Sequence, residues 1–390
     1  MPRFPAVSPV VESLSAGVFS ELVKRAHAME GPVYPLHVGD TYRDPLPAAR
    51  AENQTSTAGD RLHNYAPVQG MPELLNAIVE RLKARTGHAI DRSNLQVMPG
   101  ATAGLSVVAN VLLDAGDEVI LPSPYWPLIR GIIAARGARP VEVPMFDRLG
   151  DEDDDPERAV AEAINDRTVA LYLNSPNNPT GAVLPPELVT RLLRLAKKHD
   201  LWLICDEAYE ELWFTEQRPD PIWAHPLAQD RVLATHTLSK SYGLAGARVG
   251  FTHGPSSVMR AVRGAQTFKT YCASRPMQLA AAQALRLGDG WLDEARSEYR
   301  RAAERSAALL GIAPPAGGTF VFFDARPHYR SGEHLFAFLE RCLEAGVLLT
   351  PGSASGAAYQ DWVRLCFTSV TPEDLEDALE RLRPLLSSSS

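Results

Sequence analysis

The chain has 390 residues, 45% of them hydrophobic and 22% charged, and a net charge of -8. That length supports a large domain with a smaller companion, and the composition argues against both a mini-protein and a mostly disordered chain. The acidic balance leaves no basic footprint for a phosphate backbone, so no nucleic-acid partner is expected.

In chain order, "SAGVFSELVKRAHAM" reads as a helix preceding the sheet and packing on the C-terminal part. From about residue 94 to 252, short apolar runs ("LQVM", "EVIL", "ARPVEV", "TVALYLN", "LWLICD", "RVLATHT", "ARVGFT") alternate with amphipathic stretches. That rhythm predicts a doubly wound, parallel sheet with right-handed crossovers and helices on both faces. "TAGLSVVANVLLDAG" and "PELVTRLLRLAKKHD" carry helical spacing and end in Gly or Asp, so they read as crossover helices. The acidic run "DRLGDEDDDPERA" reads as a solvated loop entering a helix.

A long helix is expected over about 291–310. "GGTFVFFDA", "GVLLTPGS" and "VRLCFTS" follow in an antiparallel, α+β manner, and the terminal "SSSS" is expected to fray. The expected division is 1–45 as an N-terminal arm and part of a small domain, 46–288 as a large domain, and 289–390 as the C-terminal small domain. Cys205, Cys272, Cys342 and Cys366 form no C-x-x-C pair, so neither a metal site nor a disulfide framework is suggested. No basic segment followed by an apolar stretch opens the chain, and no apolar run nears the roughly 20 residues of a membrane helix. A soluble, unexported, cytoplasmic protein without a membrane partner is expected.

Ligands of an open parallel sheet sit beyond the carboxyl ends of its strands. Polar residues gather there: "ALYLN" leads into "SPNNPTG", "LWLIC" ends in Asp206, and "VLATHT" ends in Thr237 with Lys240 close behind. A lysine partly desolvated and near other cations loses its proton more readily and attacks carbonyl carbon. The aldehyde of pyridoxal 5'-phosphate is the obvious partner. Lys24, Lys83, Lys197 and Lys198 lie on amphipathic helices among charged neighbours, and Lys269 sits in the polar stretch "QTFKTYC".

The cofactor makes three further demands. Its phosphate wants N–H groups at a helix start, which Gly100, Ala101 and Thr102 of "PGATAGL" supply, although an ordinary strand-to-helix turn reads the same way. Its pyridine nitrogen wants a carboxylate; Asp206 is placed for that, or for capping a helix that begins "EAYEEL". Its ring wants an aromatic cover, for which Tyr125 and Trp126 of "SPYWP" are candidates, and core residues otherwise.

In this order and spacing, "NSPNNPTG", "DEAY", "TLSKSYGLAGARVG" and "VRLCFT" resemble the class I/II aminotransferases, aspartate aminotransferase-like proteins of pyridoxal-phosphate fold type I. The likeness runs from "LHVGD" to "VRLCFT". It implies a three-layer α/β/α large domain with a mostly parallel sheet and a smaller α+β domain. It also implies that Lys240 forms the internal aldimine, that Asp206 pairs with the pyridinium, and that Tyr209 and Asn178 bond the phenolic oxygen. Thr237 and Arg248 would join the "GAT" turn around the phosphate, and Trp126 would stack on the ring. Arg364 would grip the substrate α-carboxylate by a bidentate fork, beside Gly39. Tyr65 of "NYAPVQG" would reach the phosphate of a neighbouring subunit, making a homodimer with shared active sites. A cis proline is expected in the "PYWP" and "NPTG" regions.

Two departures bear on substrate: "GDT" stands where the family has G-E-P, and Ser355 where an aromatic usually follows P-G-S-A. The implied reaction is ping-pong transamination between an amino acid and a 2-oxo acid. Lys269 or Arg275 is expected to receive a side-chain carboxylate, and the space left at Ser355 to admit a neutral or aromatic donor. The alternatives are a lyase or synthase on the same scaffold and, more remotely, a non-catalytic cofactor-binding regulator. A regulator would need a DNA-binding domain ahead of "LHVGD", for which the stretch there is short.

Overall fold

The computed structural model describes residues 20–54, 61–151 and 153–386. Residues 1–19, which hold the start of the expected N-terminal helix, and the terminal "SSSS" lie outside them. Seven apolar runs form one sheet: β1 (Leu95–Met98), β2 (Glu118–Ser123), β3 (Arg139–Pro144), β4 (Thr168–Asn174), β5 (Trp202–Asp206), β6 (Val232–Thr237) and β7 (Gly250–His253). Their spatial order is β1-β7-β6-β5-β4-β2-β3.

Alternate residues feed two cores. Ile120, Leu171, Leu173, Leu203 and Cys205 pack on one face, and Val119, Leu121, Ala170, Tyr172 and Ile204 on the other. A strand covered on both sides reads as an apolar run instead of an alternating one, which is why these segments stand out. Edge strand β3 is the more exposed, with Arg139 and Glu142 on it. The two crossover helices appear as Ala101–Leu112 and Pro186–Lys198. The second buries Leu188, Leu192, Leu193 and Leu195, each contributing roughly 2 kcal/mol.

One strand departs from the parallel expectation. β7 pairs antiparallel with both β6 and β1, while β2 to β6 pair in parallel. Parallel neighbours need a crossover, usually a helix. Residues 238–249 hold only a short 3-10 turn, Ala245–Ala247, so the chain doubles back beside β6. That reversal sets Thr237 opposite Gly250 and brings both ends of the loop to the carboxyl edge of β6.

After helices Ser256–Thr270, Arg275–Leu287 and Asp289–Leu310, a three-stranded antiparallel sheet forms in the order β8 (Phe320–Asp324), β10 (Trp362–Cys366), β9 (Thr350–Pro351). Helices Leu335–Glu344 and Pro372–Leu386 accompany it. The N-terminal helix, described as Ser20–Ala28, packs on Leu335–Glu344 and ties Arg25 to Glu340. The following segment runs along the small sheet: Leu36 accepts from the Cys366 N–H at 2.7 Å, and the Tyr42 N–H donates to Thr368 at 2.8 Å. Residues 37–42 are thereby laid between the small sheet and the end of β6. Asp155, the last aspartate of the acidic run, caps the helix Pro156–Ala163. Cis peptide bonds occur at Ser123–Pro124, Ser175–Pro176 and Asn178–Pro179. Among the described residues no helix is long and apolar enough to cross a membrane.

Candidate active site

The carboxyl ends of β4, β5 and β6 stand side by side, Asn174 opposite Asp206 and Asp206 opposite Thr235. Above them opens a cavity of about 220 Å³. Its wall includes Gly39, Ala101, Thr102, Trp126, Asn178, Asp206, Tyr209, Thr237, Lys240, Arg248 and Arg364. Residues from the arm, the large sheet and the small sheet thus face one space.

Asp206 is 4% exposed. Its carboxylate accepts from the Tyr172 hydroxyl at 2.7 Å and from the Ala208 N–H at 3.2 Å. Burial pushes the carboxyl up to about 6, against the pull of those two donors. No helix begins at "EAYEEL"; residues 208–211 form a turn, so Asp206 caps no helix. Asn174, at the end of β4, donates to the Asp206 carbonyl at 2.8 Å and accepts from the Asn178 N–H at 2.8 Å.

Asn178 then links two further groups. Its Nδ2 donates to the Tyr209 hydroxyl at 3.1 Å, and its Oδ1 accepts from Arg364 Nη1 at 3.1 Å. Arg364 Nη2 donates to the His37 carbonyl at 3.0 Å, while buried Nε has no partner. The guanidinium lies 4.3 Å from the centroid of the Phe320 ring, and burial lowers its pKa. Phe320 also explains Gly39: a Cβ there would stand 2.9 Å from the ring. Burial raises the Tyr209 phenol, keeping it protonated.

Lys240 Nζ donates to the Gly39 carbonyl and lies 3.9 Å from Asp40 Oδ1. Burial lowers its pKa; Asp40 and Cys366 oppose that, and Arg248 and Arg364 add to it. Also on the cavity wall, Thr237 Oγ1 and Ser239 Oγ are 2.8 Å apart. Arg248 adopts the left-handed region at φ 50°, uncommon for a residue with a side chain, and its Nη1 donates to the Ala245 carbonyl at 3.0 Å. Gly100, at φ +84°, begins the helix Ala101–Leu112 with no side-chain cap. The N–H groups of the first turn therefore face the cavity without a capping oxygen.

Four expected residues lie elsewhere. Tyr65 is 79% exposed, edge-on to Tyr271 at 5.1 Å between ring centroids, and outside the cavity wall. Arg275 Nη2 donates to the Tyr65 carbonyl at 2.8 Å. Lys269, in the last turn of Ser256–Thr270, donates to Ser106 Oγ at 2.6 Å. Ser355 leaves no space at the site: it is 2% exposed, away from the cavity wall, with its carbonyl accepting from the Tyr125 N–H at 3.0 Å. Other residues at or beside the cavity were missed. Ser239 had a signal, two hydroxyls flanking Leu238 ahead of Lys240; Phe320, Tyr172 and Asn174 read only as apolar-strand residues.

The residues present suit pyridoxal phosphate. A helix start without a side-chain cap, two hydroxyls, an arginine, a buried carboxylate and an amine all line the one cavity. A Cβ on Gly100 would fill the place of the Arg248 guanidinium, 2.7 Å from Nη2, so the glycine keeps that cradle open. A mostly parallel sheet with such a site at its strand ends is the build of an α/β enzyme.

The family described as aminotransferase class I and II matches residues 32–382. Over 355 residues the chain is 35% identical to the arginine–pyruvate transaminase of Pseudomonas aeruginosa, covering 89% of this chain and 88% of that protein. It is 34% identical over 330 residues to the aspartate/prephenate aminotransferase of Thermus thermophilus, covering 83% of each. Among solved structures, Thermus thermophilus aspartate aminotransferase with maleate superposes with a TM-score of 0.88 at 29% identity, over 98% of this chain and 100% of that one. The N-succinyldiaminopimelate aminotransferase of Mycobacterium tuberculosis gives 0.89 at 27%, over 97% and 100%. The chain belongs to the class I and II aminotransferases, enzymes that depend on pyridoxal phosphate.

Proposed function

We propose that this aminotransferase moves an amino group from an L-amino acid to a 2-oxo acid by a ping-pong mechanism, with Lys240 holding the cofactor covalently through Nζ. The observation that carries the reading is the convergence of Lys240, Asp206 and Arg364 on one cavity. When bound, pyridoxal phosphate supplies an electron sink for the pair left when the substrate Cα loses its proton.

The chain's own residues do the rest. Arg364, buried and with Nε free of partners, presents a planar fork to the substrate α-carboxylate beside Gly39. Once the substrate amine has displaced it from the cofactor, Lys240 Nζ, with its pKa lowered by burial, would take the Cα proton and deliver it to the cofactor's former aldehyde carbon, across the transferred nitrogen. Asp206 holds the ring nitrogen protonated, and Tyr209 and Asn178 bond the phenolic oxygen. Trp126 covers the ring. The first turn at Gly100, Ala101 and Thr102, together with Thr237, Ser239 and Arg248, holds the phosphate. The exposure of Tyr65 supports a homodimer in which it completes the partner's phosphate site. The 46–288 and 289–390 portions act as large and small domains, with residues 1–45 joining the latter. A cytoplasmic location fits an enzyme of free amino acids.

The test adds single amino acids to the holoenzyme without an oxo-acid acceptor and follows the cofactor's absorbance. One equivalent of 2-oxo acid per site, with the aldehyde form consumed, supports transamination. Continued release of ammonia or thiol with the spectrum restored would instead mark a lyase.

A further inference from the structure

Behind the cavity lies a buried set of charges that the reaction as described does not use. The turn that carries Asp206 and Tyr209 also carries Glu207, Glu210 and Glu211, at 3%, 11% and 4% exposure for Glu207, the Glu210 side chain and Glu211. Glu211 pairs with Arg81 at 3.1 Å and Arg218 at 2.5 Å. Glu210 divides its two oxygens: one meets Arg85 of the helix Pro72–Thr86, the other His236 Nδ1 at 2.5 Å. His236 is 1% exposed and stacks against both Phe251, at 4.3 Å, and His253, at 5.0 Å between ring centroids. Burial holds this imidazole well below its usual pKa, so it is neutral and Nδ1 is the donor to the carboxylate.

The covalent neighbours give that bond its meaning. Glu210 follows Tyr209, and His236 precedes Thr237, three residues before Lys240. Pairing of β5 with β6 ends at Asp206 opposite Thr235, with the Glu207 N–H bonding the Thr235 carbonyl at 2.9 Å. Beyond that point, among the described residues, no backbone hydrogen bond joins 208–212 to 236–240. The Glu210–His236 contact continues the junction where the ladder stops. Arg85, Glu210, Thr237 and Phe251 border one small void of about 20 Å³ directly beneath the loop. A charge-assisted bond in so dry a place is stiff.

We propose that Glu210 is a positioning residue: held by Arg85 and bonded to His236, it fixes the spacing between the Tyr209 hydroxyl and the Thr237–Lys240 loop, and so the setting of the bound cofactor. This rests on the functional reading above, in which Tyr209 meets the phenolic oxygen and Lys240 the aldehyde carbon. Loosening the contact would let Tyr209 drift from that oxygen; the deprotonated form of the lysine-bound cofactor then loses a hydrogen-bond donor, and the cofactor holds its proton more tightly.

The readout is the pH at which the absorbance of the lysine-bound cofactor changes form. It is measured on holoenzyme in the absence of substrate, beside thermal unfolding and steady-state kinetics. Glu210→Gln, which keeps the shape but removes the charge, is expected to raise that midpoint by about one pH unit, a tenfold gain in proton affinity, and to lower kcat roughly tenfold. His236→Asn, which keeps a donor near Nδ1, should retain the wild-type midpoint, while His236→Leu should shift it as Glu210→Gln does. If the Glu210 variant does not fold, the two His236 variants carry the test. A folded Glu210→Gln or His236→Leu enzyme with an unmoved midpoint and kcat overturns the proposal, even if its unfolding temperature falls. Wild-type enzyme lacking any such spectral transition would overturn the functional reading itself, a different failure.

Discussion

Arg248 Nη2 lies 2.7 Å from the place that a Cβ on Gly100 would take, so a strand-end arginine and a helix-start glycine share one space. The two are brought together by the antiparallel return of β7. Gly100→Ala meets both a crowded guanidinium and a φ of +84° that a side chain rarely adopts. We expect cofactor dissociation to quicken at least about tenfold while the cofactor-free protein loses about 1 kcal/mol or more. Dialysis of the holoenzyme followed by absorbance checks it. Unchanged retention in the folded variant would refute the role given to this turn.

Borohydride reduction of the holoenzyme followed by peptide mapping should place the pyridoxyl group on Lys240, whose amine faces the cavity. Lys240→Ala should take no label and lose activity by several orders of magnitude. Label on Lys269, which bonds Ser106 outside the cavity, would overturn the assignment.

Asp206 predicts opposite signs for stability and activity. Its folded pKa is raised from 3.8 to about 6, chiefly by burial. Between those values the folded, cofactor-free chain keeps a proton that the unfolded chain has released, so stability falls as pH rises through the window and the loss is complete above it. Asp206→Asn should therefore make the cofactor-free protein more stable at pH 8, by up to roughly 3 kcal/mol, and leave it little changed near pH 3.5. Turnover should fall about a hundredfold or more, since a neutral amide cannot hold a ring nitrogen protonated. Denaturant unfolding at the two pH values reads the first part. A variant less stable at pH 8 would contradict it.

Tyr65 is exposed and not part of its own cavity wall, so the composite-site proposal makes it act on a partner. Mixing inactive Lys240→Ala with a severely impaired Tyr65→Ala variant should restore up to about a quarter of wild-type activity per site through hybrid dimers. Light scattering that finds an active monomer rules this out.

Arg275 bonds the carbonyl of Tyr65, so whatever surface receives the tyrosine receives this cation too. A buried, unpaired carboxylate costs several kcal/mol, and a dicarboxylic acceptor needs a counter-charge. Arg275→Ala or Lys269→Ala should raise KM for 2-oxoglutarate about tenfold or more while changing KM for pyruvate less than about twofold. Equal effects on the two acceptors would remove both residues from the substrate site.

Much of this enzyme is legible before folding. Central strands buried on both faces must be apolar throughout, so β2, β4, β5 and β6 are visible as runs, and polar residues at their ends mark the ligand edge. Lys240 stands out because a cation after a buried strand lacks a solvated helix face, and Asp206 because a carboxylate there lacks an obvious partner. Period and composition report burial, but they carry no sign for strand direction. The reversal of β7, and with it the meeting of Arg248 and Gly100, was settled by a connection that holds no crossover helix. Contacts across the chain were equally silent: Lys240 reaches Gly39 over 201 positions, and Arg364 reaches Asn178 over 186. The burial of Ser355 and the junction of Glu210 with His236 belong to the same class. Local preference specifies which segments are dry, whereas only packing in three dimensions selects which polar groups share a dry place and must satisfy one another.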